Sequence, residues 1–81
     1  MYRIRLDKVE ELKAGRTIVY LEGITGYTRQ YLSEAFTGKR NLPEKSITKI
    51  LIPICNESVK LKERLDKEGI EKIIDYFFQT I

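Results

Sequence analysis

Glycine and proline punctuate this 81-residue chain at Gly15, Gly23, Gly26, Gly38, Pro43, Pro53 and Gly69. The longest stretch between marks, 54–68, holds only about four helical turns at ~3.6 residues each. Between the marks most apolar residues recur every three or four positions, the period of one helix face. The expected fold is therefore all-α: a compact bundle of about five to six short helices in a single domain. A chain this short has room for one core and no large enclosed active site. Met1 to Leu6 alternates apolar and polar residues (Tyr2, Ile4, Leu6), which predicts a short extended N-terminal arm or edge strand.

The segments are readable one by one. Leu6, Val9 and Leu12 predict a first helix over Asp7 to Ala14, with Gly15 as its stop. Thr17 is a good N-cap for a second, carrying Ile18, Val19, Leu21 and Ile24, although its β-branched residues would also tolerate a strand. Thr28 caps a third, Arg29 to Phe36, ahead of Gly38. On its wheel Leu32, Ala35 and Phe36 share one side with Tyr31 at the margin, while Arg29, Gln30, Ser33, Glu34 and Thr37 make the other side polar. Asn41-Leu42-Pro43-Glu44 reads as the start of a fourth helix, with Ile47, Ile50, Leu51 and Ile54 on one face. Pro53 predicts that it ends near Ile52. A fifth helix is expected over Val59 to Lys67. The last segment places Ile70, Ile73, Ile74, Phe77, Phe78 and Ile81 on one broad apolar stripe.

Several chemistries are excluded by residue count. The chain has one cysteine and no histidine, so an intrachain disulfide, a Cys/His zinc site and histidine acid–base catalysis are all ruled out. No nucleophile–base pair or metal-ligand cluster is evident; no enzyme activity, metal, cofactor or small-molecule ligand is expected. Cys55 reads as a small buried apolar residue, and Gly23 and Gly26 as turn residues rather than a phosphate cradle. No apolar run approaches a membrane span, and no apolar signal core follows the N-terminus, so the expected location is the cytoplasm. The net charge of +3 is unevenly placed. Residues 26–49 carry five basic and two acidic groups, whereas residues 50–81 carry five basic and six acidic. A basic middle third suits a polyanionic partner.

Two short helices joined by a glycine-containing turn, the second with a polar outer face, form a helix-turn-helix pattern. The stretch from Thr25 to Pro43 resembles the core of the phage-repressor (Cro/CI, XRE-type) helix-turn-helix family. The matching features are a turn glycine (Gly26), a cap two residues on (Thr28), an aliphatic residue four beyond it (Leu32) and an exit through Gly38-Lys39-Arg40 to Pro43. Thr17, nine residues before Gly26, stands at the cap of the family's second helix, and the likeness extends over roughly Lys8 to Ile54.

The resemblance implies a lambda-repressor-like fold, with residues 1–55 as a DNA-binding core and 56–81 as a helical extension. It implies sequence-specific binding of double-stranded DNA by a transcriptional regulator, repressor-like and bacterial or phage in style, associated with the nucleoid when bound. By position, Arg29, Gln30, Ser33 and Glu34 would read base edges, while Thr17, Thr28, Tyr31, Lys39 and Arg40 would contact phosphates. The sequence departs from the family pattern in three places. Ile18 replaces a common phosphate-contacting residue, Glu22 replaces a small one, and Pro53 interrupts the fourth helix. Arg3 and Arg5 would have to compensate for Ile18.

The C-terminal stripe has two readings: it completes the core, or it docks on a second copy. Its width favours a homodimer through Ile70, Ile73, Ile74, Phe77, Phe78 and Ile81, with two recognition helices about 34 Å apart. A competing function is a protein-interaction module, such as an antitoxin or an inhibitor of a host factor, that uses the same stripe.

Overall fold

The computed structural model describes all 81 residues. Six helices make up most of it: α1 (Val9–Lys13), α2 (Ile18–Thr25), α3 (Arg29–Phe36), α4 (Glu44–Glu57), α5 (Val59–Glu68) and α6 (Ile70–Phe77). Two three-residue strands, β1 (Tyr2–Ile4) and β2 (Phe78–Thr80), complete it, and a single 3-10 turn (Leu6–Lys8) leads into α1. The expected all-α bundle of five to six short helices is present.

The N-terminal arm is a paired strand. β1 runs antiparallel to β2 with Tyr2 opposite Thr80, Arg3 opposite Gln79 and Ile4 opposite Phe78. On its other side, Tyr2 exchanges two backbone hydrogen bonds with Leu42, at 2.8 and 2.7 Å. Alternation therefore signals strand here because both edges of β1 find partners. Ile4 is buried, while Leu6, beyond the strand, is 65% exposed and outside the core.

Local chemistry sets the helix starts. The side-chain oxygens of Thr17, Thr28 and Ser58 accept from the amides of Tyr20, Tyr31 and Leu61, satisfying donors that the first helical turn leaves free. α3 stops in a Schellman arrangement, with Lys39 N–H donating to the Glu34 carbonyl and Gly38 held at φ +76°.

Two expected boundaries are corrected. α4 does not end near Ile52 but runs through Pro53 to Glu57. An interior proline costs about 3 kcal/mol, through the bond it cannot donate and the crowding of its ring against the preceding turn. The carbonyl it leaves free belongs to Lys49, on the exposed side of the helix. Ending the helix there would expose Ile54 and Cys55, both fully buried, and burying one large aliphatic side chain contributes about 1.5–3 kcal/mol. Burial of the two side chains together offsets that cost. The final helix does not reach Ile81 either. The chain turns extended at Phe78 (φ −128°, ψ 153°) to pair with β1.

The apolar stripe is corrected along with that boundary. Ile73, Ile74, Phe77 and Phe78 are all buried in the chain's own core, and Ile70 packs partly against it. Of the six residues expected at a dimer interface, only Ile81 is exposed, at 58%. Residues 56–81 thus contribute five of the 17 side chains in one continuous core, namely Leu61 and the four just named. The core absorbs the stripe because α5 packs against α6 and β1 pairs with β2.

Candidate nucleic-acid interface

α2, the three residues Gly26 to Thr28, and α3 form a helix-turn-helix. Leu21 on α2 and Leu32, Ala35 and Phe36 on α3 point into the core. The turn relies on Gly26, which ends α2 at φ +81°, a conformation L side chains rarely adopt. Tyr27 follows, and its ring stacks on that of Tyr31 at 4.5 Å between centroids, nearly parallel. Both hydroxyls donate to the Oγ of Ser46 on α4, at 3.2 and 2.9 Å. Ser46 is the one buried polar residue of the chain, and it fixes the turn, α3 and α4 to one another.

The outer face of α3 divides into an exposed part and a half-buried part held by Arg40. Arg29, Gln30, Ser33 and Thr37 are exposed. Arg29, Ser33 and Thr37 form one row at four-residue spacing, with Gln30 beside it. Glu34 is different. Its carboxylate takes two hydrogen bonds from the Arg40 guanidinium, and this contact holds its pKa below the usual carboxylate value. Arg40 in turn lies over the Tyr31 ring, 4.5 Å from its centroid. Glu34, Arg40, Tyr31, Tyr27 and Ser46 therefore form one continuous bracing ladder.

This placement separates the expected site residues. The structure brings Arg29, Gln30 and Ser33 together on the open face, with Lys39 exposed just past the helix end and in no ion pair. Glu34, Arg40 and Tyr31 each also hold a partner within the chain: Glu34 and Arg40 pair with one another, and Tyr31 donates to Ser46. Thr17 and Thr28 act first as caps. Their oxygens accept from backbone amides, leaving only the hydroxyl proton for a phosphate.

Glu22 takes a role that its sequence position did not announce. Its Oε2 accepts the backbone N–H of Arg29 at 2.9 Å, and its Oε1 lies 4.0 Å from the Arg29 guanidinium. A carboxylate therefore occupies the N-terminal end of α3, where free amides and the helix dipole favour an anion. Ser46 and Tyr27 were equally silent, since a serine among isoleucines and a tyrosine in a turn carry no motif. The seven-residue spacing of Glu22 and Arg29 across a turn was the one available hint of their contact.

Comparison with family models, with curated proteins and with solved structures finds no match to this chain. No helix is long and apolar enough to cross a membrane, and no group of three or more acidic or cysteine side chains is placed to hold a metal ion.

Proposed function

We propose that this chain binds double-stranded DNA through its helix-turn-helix and regulates transcription by occupying its site. The observation that carries this reading is the face of α3, where Arg29, Gln30, Ser33 and Thr37 stand exposed while the opposite face is buried and braced by α2. A helix of eight residues is about 12 Å long at ~1.5 Å per residue. That length matches a major groove about 12 Å wide and spans three to four base pairs at ~3.4 Å each. Arg29 has the geometry to bridge guanine O6 and N7, and Gln30 to pair with adenine N6 and N7. Lys39 adds a phosphate contact at the exit. The bracing ladder ties α3 to the turn and to α4, so the helix backbone needs little ordering on binding. The working location consistent with this reading is the cytoplasm, on the nucleoid.

Selecting bound duplexes from a random pool tests the proposal, followed by fluorescence anisotropy on the selected sequence over a salt series. Sequence-selective, salt-sensitive binding that loses its selectivity in the Arg29→Ala/Gln30→Ala double variant is expected. Affinity indifferent to both sequence and salt would remove it.

A further inference from the structure

An open groove of about 380 Å³ lies between β1 and the C-terminal end of α3. Arg3, Arg5, Asp7, Thr37, Gly38 and Gln79 are among the residues that line it. Thr37 is the last member of the exposed row that starts at Arg29, so the reading face leads directly into the groove. Gly38 makes the approach possible. A Cβ at that position would lie 3.3 Å from a Leu6 methyl and 3.9 Å from Cδ of Arg3, whose stem crosses the glycine backbone.

The two arginines are oriented without being neutralised. Arg3 donates through Nε and Nη2 to the side-chain amide oxygen of Asn41, at 3.2 and 2.9 Å. Arg5 donates through Nε to the backbone carbonyl of Asp75 at 3.1 Å. Neither forms a salt bridge, whereas Arg29, Arg40 and Arg64 each face a carboxylate. With five N–H donors per guanidinium, Arg3 keeps three and Arg5 keeps four. Asp7 is the one acid in the lining, so the groove stays cationic.

The opposite end of α3 supplies an independent reason for an anchor here. Glu22 already fills the helix N-terminus, and its charge repels a phosphate from the place where a helix-turn-helix would otherwise hold one. We propose that the β1–α3 groove is a phosphodiester-binding subsite. In it, Arg3 and Arg5 grip the DNA backbone beyond the C-terminal end of α3, replacing the contact that Glu22 denies at its N-terminus. This rests on the DNA-binding reading above.

The test is the salt dependence of binding to the selected duplex. Each phosphate contact contributes about 0.9 to the slope of log K against log salt. The Arg3→Gln/Arg5→Gln variant should therefore have a slope lower by about 1.8. Over a fourfold rise in salt it should lose roughly 12-fold less affinity than the parent, by the same relation. The order of base preferences should not change. Arg3→Lys/Arg5→Lys, which keeps both charges, should restore the slope. Arg3→Gln alone, whose partner is the exposed Asn41, guards against unfolding and should lower the slope by about 0.9. Single methylphosphonate substitutions in the duplex should weaken the parent at two positions and leave the double variant indifferent there. A parent that binds selectively, with glutamine variants that keep its slope, overturns the groove and leaves the DNA-binding reading intact. A parent that selects no sequence overturns both.

Discussion

Replacing Ile73 by valine removes one methylene from a side chain that is fully buried. In a core this closely packed, such a deletion costs about 0.5–1.5 kcal/mol. An 81-residue domain has a total stability of about 4–12 kcal/mol, at ~0.05–0.15 kcal/mol per residue. For a domain of this size each kcal/mol moves Tm by about 4–8 °C, so Ile73→Val should melt roughly 2–12 °C below the parent. Phe77→Ala, also at 0% exposure, should cost about 3–5 kcal/mol and leave little folded margin. Melting followed by circular dichroism over about a hundredfold range of protein concentration is the assay, since a shared interface would make Tm rise with concentration. If α6 faces its own core, the Ile73→Val deficit is the same at every concentration. An unchanged Tm in Ile73→Val, together with a shift from dimer to monomer in light scattering, would refute the argument and return the stripe to a second copy.

Other expectations follow from particular contacts. Arg29→Ala should forfeit about 1–3 kcal/mol of discrimination at one base pair while binding to random-sequence DNA persists, as read by competition anisotropy. Glu22→Gln keeps an oxygen for the Arg29 amide and removes the charge, so it should bind random-sequence duplex more tightly at low salt; equal or weaker binding would contradict the view that Glu22 excludes phosphate. Ser46→Ala leaves two half-exposed tyrosine hydroxyls without their partner and should lose about 1–2 kcal/mol, a fall of roughly 4–16 °C in Tm. Glu34 and Glu68 have pKa values lowered by hydrogen bonds from Arg40 and Arg64. Their contribution is complete above the unfolded value of 4.5 and is lost as pH falls through the lower folded values. The Glu34→Gln/Glu68→Gln variant should therefore melt below the parent near neutral pH, and the gap should close progressively in acid below about pH 4.5.

What could be read in advance tracked how local the determining physics is. α3 was legible to the residue because its cap, wheel and glycine stop lie within eleven positions and agree. α4 was not, because the rule that ends a helix at proline is local, while the burial of Ile54 and Cys55 that overrides it depends on α5 and α2. Periodicity identified the apolar face of α6 correctly but carries no information on what covers that face. Phe78 fits both patterns, as the next member of a helical stripe and as the first residue of a strand, and only β1 decides between them. The site divided in the same way. Exposure of Arg29, Gln30 and Ser33 follows from the wheel. The capture of Glu34 by Arg40 depends on how the chain folds back after Gly38, which no helical spacing encodes.

The pairing of β1 with β2 also shapes how the molecule is assembled. Ile81 donates its amide to the Met1 carbonyl at 3.0 Å, so two three-residue strands close a loop that takes in all six helices. Loop-closure entropy grows as (3/2)RT ln n, and no hydrogen bond offsets it until the ends have met. The helices can condense from neighbouring contacts beforehand, but Ile4 and Phe78 can complete the core only at that last step. This two-stranded seam should therefore be where the fold closes latest and opens first, with the amides of Arg3 and Gln79 exchanging with solvent well ahead of those in α4. Because the arginine groove is built on β1, its grip on a phosphate would be coupled to the closing of the seam, and bound DNA would slow that exchange.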